Sequence, residues 1–487
     1  DAWSGTTTNE YLYIEYCTGS GWENALTFLA DAELGAVDIP WGNNSFLLTG
    51  LGDLDTLQIR FRTAGTYAYN INYWYVDNVS VQLAPFWYVA TTGSDATGDG
   101  TYTNPFATIQ TAIDSSSDGD VVSVAVGTYV ENIYIDKNIV ILGDYRETTI
   151  IDGDSSGSVV TFSNSVNETA LLSGFTITNG SGLMEDDPSN NWDNGLSKGG
   201  GIYLDECSPI LEQLIIENNT VSGGGGGISK SSQNSSLHIS HSIIRNNTAK
   251  YAGAIHGQGG SNEITDCQIY NNHATNIGGG FGGVMTVSNS SIYNNTAVDG
   301  AAAMSADATM LNCVVSGNES PNYCIEIGGG NTEIKNTIIW GNTSSAIQCW
   351  SAITISYSDI EGGQEAFLDD GTDPSWGEGN IDADPLFCNL DSGDYTLMAD
   401  SPCVGTGENG ANMGAFGVGC GPSFSGPIWH VSQDGSDSTG NGSMELPFST
   451  IQHAIALVDT GDTIIVHPGT YVENVDFGGK SMVLASN

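Results

Sequence analysis

Six short stretches decide the fold: IIENNT (215–220), IIRNNTA (243–249), QIYNNHA (268–274), SIYNNTA (291–297), VVSGNE (314–319) and IIWGNT (338–343). Each sets a short, mostly apolar run before a polar pair that ends in asparagine. The marker asparagines are Asn219, Asn247, Asn272, Asn295, Asn318 and Asn342, at steps of 28, 25, 23, 23 and 24 residues. Glycine-led strands accompany them, as GGGIYL at 199–204 and GGGISK at 225–230. A period in the twenties, with short β-runs and asparagine at a fixed place, describes a solenoid. Each turn is expected to hold three short strands, and no single turn can bury its apolar side alone. Stacking turns about 4.8 Å apart makes one continuous core. The asparagines then share one corner, each side-chain amide bonding to its equivalent in the next turn. A leucine-rich repeat would need a leucine framework and a helical convex side, and both are missing.

Outward from this core lies a longer repeat. Residues 87–142, from WYVATTGSDATGDG, align without gaps with 429–484, from WHVSQDGSDSTGNG, at an offset of 342. The offset pairs Pro105 with Pro447, Gly119-Asp120 with Gly461-Asp462, and GTYVEN at 127–132 with the same six residues at 469–474. Two copies of one module are therefore expected, the second cut off. Helical patterning is confined to the short runs at Ile109–Ile113 and Ile451–Ile455. Before residue 87, YLYIEY, LQIRFR and INYWYVDNVSVQL alternate apolar and polar positions, the signature of antiparallel strands with one buried face.

Two resemblances rest on these residues. The pattern GSD…G…PF.TIQ.AI…GD…V..GTY, from Gly93 to Tyr129, resembles the N-terminal cap and first coil of the pectate-lyase-like, right-handed parallel β-helix superfamily. GNIDADPLF (379–387) and DYTLMADSPCVGTG (394–407) resemble the closing segment of large secreted bacterial β-helix proteins. This resemblance runs from about 87 to 420, with a second start at 429. The run Tyr73–Asp77–Val81 resembles the last strand of jelly-roll modules, with Asp1 inside that module. The implied chain is all-β. It has a partial jelly-roll β-sandwich at 1–86, a cap at 87–120, a right-handed parallel β-helix at 121–363 and a closing segment at 364–420. A linker at 421–428 precedes the start of a second β-helix at 429–487.

Charge bounds the partners. There are 57 acidic residues against 10 basic ones, a formal net charge of −47, so nucleic acid and anionic membranes are repelled. No apolar run is long enough to span a bilayer. The chain shows neither an initiator Met nor a signal peptide and is expected to be a processed or trimmed product, its extracellular or cell-surface place inferred from composition and resemblance. Acidic, glycine-rich loops suit Ca²⁺, which prefers oxygen ligands. The candidate ligands are Asp95 and Asp99 in the cap, Asp369, Asp370, Asp373, Asp382 and Asp384 in the closing segment, and Asp437 in the second copy. The loop at 185–193 is a further candidate. Cys267 and Cys313 stand at one place in turns two apart, too far for a disulfide, and are expected to be buried inert thiols. Among Cys388, Cys403 and Cys420 a disulfide is expected, Cys388–Cys403 first. His238 and His241, three apart on one strand-like run, are expected to face opposite sides. Arg245 and Lys250 are expected on a solvated face.

The resemblance brings polysaccharide lyases and hydrolases into view. A lyase acting on polyuronates needs cations, and this chain offers four arginines and six lysines. The leading expectation is a non-catalytic structural or adhesive module of a repetitive, fibre-forming surface protein. It would self-associate or meet other surface proteins and glycans. The alternatives are a secreted polysaccharide lyase or glycoside hydrolase, and a glycan-binding protein.

Overall fold

The computed structural model describes residues 85–486, apart from 164–165, 185–194, 232–234, 258, 328–331, 345–346, 369–373, 391–392, 422–427 and 459–460. It also describes the backbone of three earlier strands. The chain divides into two units, 1–83 and 84–487. In the first, Glu10–Cys17 lies between Trp22–Ala30 and Gln58–Ala64 and pairs antiparallel with both. Antiparallel pairing is what the alternation in YLYIEY and LQIRFR requires. The segment Tyr73–Val81, on which the jelly-roll resemblance rests, lies outside the described residues.

The second unit is a right-handed parallel β-solenoid. Most turns give two strands to a 20-stranded sheet and one to a 10-stranded sheet; Phe281–Ser288 and Met304–Leu311 each fill both places as one strand. Register is set by columns of like residues. Down the 10-stranded sheet, Ile151, Ile177, Ile216, Ile244, Ile269, Ile292, Val315, Ile339 and Ile360 stand in line. All are buried in one continuous core. A parallel strand one residue out of step would turn its isoleucine to the outside, so the aliphatic column fixes the register.

The predicted ladder is present. Asn219 donates from its backbone N–H and from Nδ2 to Oδ1 of Asn247, at 3.1 and 2.9 Å. The same pair of bonds runs from Asn247 to Asn272, Asn295, Asn318 and Asn342, all between 3.0 and 3.1 Å. Gly180 N–H donates to Asn219 Oδ1 at the near end. The residue before each ladder asparagine has positive φ: Asn218, Asn246, Asn271 and Asn294, then Gly317 and Gly341. That explains the doublets Asn-Asn and Gly-Asn, because asparagine and glycine enter the left-handed region most cheaply.

A second corner repeats the device with mixed residues. Gln213, His241, Asp266, Asn289, Asn312, Asn336 and Tyr357 all have positive φ. In several turns the next residue meets a neighbouring side chain: Leu214 N–H donates to Ser242 Oγ, Cys267 N–H to Ser290 Oγ and Cys313 N–H to Thr337 Oγ1. Thr337 and Ser358 continue the column to Asn380. Cys267 and Cys313 are the buried thiols expected, and burial pushes each up to about 12.

At the N-terminal end the helix Ile109–Ser115 buries Ile109, Ala112 and Ile113 as a plug. Its first amides, on Ile109 and Gln110, donate to the Glu131 carboxylate, and Lys137 Nζ donates to the carbonyls of Ile113, Asp114 and Ser116. The second copy repeats this around Ile451–Leu457 with Glu473 and Lys480. Lys137 and Lys480 are 343 apart, so the gap-free alignment needs one correction. An extra residue enters at the Gly478-Gly479 turn, and the offset grows by one so that the lysine still reaches the helix end.

The closing segment folds back along the outer face of the 10-stranded sheet. Phe387, Tyr395, Leu397, Cys403 and Met413 pack on Tyr293, Val314 and Ile338. Tyr395 meets Tyr293 at 4.9 Å between ring centroids, and Tyr293 stacks on Tyr270 at 4.7 Å. Asn336 takes the Gly414 N–H on its carbonyl and the Glu408 N–H on Oδ1, while Lys335 pairs with Glu408 at 2.7 Å. The expected Cys388–Cys403 bridge is corrected: Cys388 pairs with Cys420. These two lie in strands of one small sheet, Phe387–Asn389 and Val418–Cys420. Cys403 faces the other way, where its thiol donates to buried Asp359 Oδ2 at 3.1 Å.

Candidate functional site: an imidazole and carboxylate strip

On the 20-stranded sheet, Ile210–Glu212, Leu237–Ser240 and Asn262–Thr265 lie side by side. Their central residues Leu211, Ile239 and Ile264 point into the core. Parallel register therefore sends Ile210, His238 and Glu263 outward in one column, and Glu212, Ser240 and Thr265 in the next. His241 and Asp266 take the left-handed corner just beyond. His241 thus ends its strand, and both imidazoles stand on the outer surface; the expectation of opposite faces fails because it assumed an unbroken strand.

Imidazoles face carboxylates across rungs. His238 Nδ1 lies 3.5 Å from Glu263 Oε2. His241 Nδ1 lies 3.7 Å from Glu212 Oε1, and its Nε2 lies 3.7 Å from Asp266 Oδ2. Arg146 reaches in to donate to the His241 carbonyl at 2.8 Å. A shallow open depression is lined by Glu168, Ile210, His238, Ser240, Glu263 and Thr265. Glu212 and Asp266 belong to turns two apart, so about 10 Å separates them along the axis. The His241 ring stands between their carboxylates, facing each at 3.7 Å.

The remaining cations with described side chains are engaged elsewhere. Arg245, on the outer side of its strand with its side chain a third exposed, pairs with Glu217 at 2.6 Å and donates to the Tyr270 hydroxyl. Lys250 sits over the Tyr251 ring. Buried Lys230 donates to Ser235 O, Gly259 O and Asn262 Oδ1, and desolvation pushes it down to about 8.

Of the candidate calcium ligands, Asp95 takes the amides of Ala107 and Thr108 and the Thr108 hydroxyl, just before the plug helix. Burial acts to raise its pKa, but these bonds outweigh it and hold the carboxyl below its usual range. Asp437 makes the same three bonds to Ser449 and Thr450. Asp99 accepts from the Thr101 amide and hydroxyl. Asp382 accepts from Gly362 N–H, and Asp384 from Leu386 N–H. Asp369, Asp370, Asp373 and the 185–193 loop lie outside the described residues. Among the described residues no three His, Cys, Asp or Glu side chains converge on a point that could hold an ion. Asp95→Ala is expected to cost about 1–2 kcal/mol, the loss of three hydrogen bonds to a charged acceptor at an exposed site, and to lower the melting temperature equally with calcium or chelator present. A loss seen only with calcium would make Asp95 a ligand.

A family model described as "Right handed beta helix region" matches residues 232–373. No curated protein matches the sequence. Solved structures of similar fold include pectate lyase Pel9A, at 14% identity and a TM-score of 0.45, over 69% of this chain and 97% of that one. Pectin methylesterase PemA from Erwinia chrysanthemi matches at 13% identity and a TM-score of 0.26, over 60% of this chain and 81% of that one. A point mutant of the PL6 family alginate lyase AlyGC matches at 12% identity and a TM-score of 0.29, over 78% of this chain and 66% of its own length. The parallel β-solenoid is the class that the fold and the family match define. Among the described residues no helix is long and apolar enough to cross a membrane.

Proposed function

We propose that this chain is an extracellular solenoid that engages a neutral polysaccharide along the strip around His238 and His241. The observation that supports the reading is the pairing of two outward-facing imidazoles, His241 exposed and His238 half-buried, with Glu263, Glu212 and Asp266 beside an open depression. An open-ended groove on a repeating surface suits a repeating ligand. A net charge of −47 opposes polyuronates, and the cations that a lyase needs are held in internal contacts. Neutral glycans face no such barrier, and two carboxylates with an imidazole between them supply groups for general acid–base chemistry.

The test is affinity electrophoresis in gels cast with neutral or with uronate polysaccharides. Retardation is expected in at least one neutral glycan gel, and a several-fold loss of it in His238→Ala/Glu263→Gln. Equal mobility of both proteins in every gel would overturn the reading.

The tandem start module favours a second reading, a rigid surface scaffold or fibre that self-associates or meets other surface proteins. Glu131 and Glu473 hold their plug helices by the same bonds, so the architecture itself is repeated. Calcium uptake by the acidic stretch 369–384 is part of the same proposal. A rise in melting temperature with calcium, reversed by chelator, is the expected result.

A further inference from the structure

We propose that His430 and His467, at the start of the second copy, form a binding site for a divalent transition metal of the Cu²⁺, Ni²⁺ or Zn²⁺ class. His430 lies in Ile428–Val431, between buried Trp429 and Val431, and so faces outward. The adjacent parallel strand, Thr463–Val466, runs directly into His467, whose N–H donates to the Val431 carbonyl at 2.8 Å. Backbone pairing therefore brings the two rings together. His430 Nδ1 and His467 Nε2 face each other at 3.1 Å, with ring centroids 5.3 Å apart and planes inclined by 38°.

The separation decides the chemistry. Two imidazole nitrogens, each about 2.0–2.1 Å from one metal and subtending between a right and a tetrahedral angle, stand roughly 2.9–3.4 Å apart. The pair already has that spacing; the rings now meet end to end, and a metal replaces the bridging N–H once both rings turn so that their nitrogens point to one side. Neutral imidazole suits copper, nickel and zinc, whereas calcium prefers oxygen. Two protein ligands leave the other positions to water or to a second molecule.

The first copy shows that the imidazoles are not there for the fold. At the same offset it carries Tyr88 and Ala125, neither of which can replace this pair. Yet the two caps are otherwise alike: Trp87 Nε1 donates to Asp120 and Trp429 Nε1 to Asp462, both at 2.9 Å. Trp87 stacks on Phe106 as Trp429 does on Phe448. Only the second copy has acquired two nitrogen donors on neighbouring rungs.

The whole chain is titrated with Ni²⁺ by calorimetry, beside His430→Tyr/His467→Ala, which installs the first copy's residues. The variant is expected to lose one bound equivalent while its metal-free melting temperature stays unchanged. His238→Gln/His241→Gln is the control and should keep that equivalent. With Cu²⁺, electron paramagnetic resonance should show two coordinated nitrogens in the parent chain. If the double variant unfolds, His467→Ala alone is measured by resonance, and a persisting two-nitrogen signal overturns the proposal. Equal Ni²⁺ stoichiometry in parent and variant, or no uptake by the parent, also overturns it. In either case the two rings hold each other by a hydrogen bond alone.

Discussion

Asn272→Ala is expected to cost about 3–5 kcal/mol, because it strands several buried polar groups at once. Asn272 Oδ1 accepts from Asn247 N–H and Nδ2, and its own Nδ2 donates to Ile244 O at 2.9 Å and Asn295 Oδ1 at 3.0 Å. The corner is fully buried, so solvent has no access to take over these bonds. Asn272→Asp should be no better, since a carboxylate oxygen would then face a carbonyl and another amide oxygen. The end of the ladder is the internal comparison. Asn342 is half-buried and has one ladder neighbour, so Asn342→Ala should cost well under half as much. Urea unfolding of the three variants measures this. Equal losses at Asn272 and Asn342 would mean that the amides do not act as a connected column.

Asp359→Asn is expected to raise stability at neutral pH by about 1–2 kcal/mol, part of the charge burial it relieves, and to remove an acid dependence. Burial pushes the Asp359 carboxyl up to about 6, the charges of Asp382 and Asp384 add to this, and the bonds from Cys403 and Ala383 oppose it. The folded value is therefore above the ordinary 3.8. Between about pH 4 and 6 the folded chain binds more protons than the unfolded chain. Its stability must fall as pH rises through that window and level off above it. The gap corresponds to about 3 kcal/mol. Asparagine removes the charge but gives up part of the gain, since its Nδ2 must face either the Ala383 N–H or the Cys403 thiol. The thiol is the softer partner and can turn to accept. Melting temperatures from about pH 4 to 8, a range that spans the shifted window, should slope downward in the parent chain and lie flatter in the variant. A variant less stable than its parent at the alkaline end would refute the account.

The ladder was legible in the sequence because one residue type recurs at one place in every turn. The second corner was not. Leu214, Ser242, Cys267, Ser290, Cys313 and Thr337 share a position without sharing a chemistry, and only the left-handed residue before each betrays it. The plug helices were readable from short apolar runs repeated at a fixed offset. The single inserted residue before Lys480 was not, because nothing local marks which lysine must reach a helix end. Cysteine spacing could not choose among three partners, since Cys403 is diverted by Asp359, itself distant in sequence. The His238–His241 strip escaped because its members meet across rungs, with Glu212, Glu263 and Asp266 each from a different place in the chain. Strand alternation alone misplaced His241, whose positive φ returns its ring to the outer surface.

The closing segment's sideways docking has a mechanical consequence. Tyr395 holds the rung of Tyr293, Gly414 that of Asn336, and Cys403 that of Asp359, so one covalently closed flap splints four successive rungs. Sliding or unwinding any rung within that span must also shear the flap. Among the described residues the rungs at 127–217 have no such splint from this segment, so a pull along the axis is expected to peel them first. The splint also acts as a gauge: inserting one turn between Ile338 and Asp359 would carry Asp359 about 5 Å beyond the reach of Cys403 while leaving Tyr395 in place. Rung number is therefore counted from the side, over the last few turns, and the more distant turns remain open to change in number.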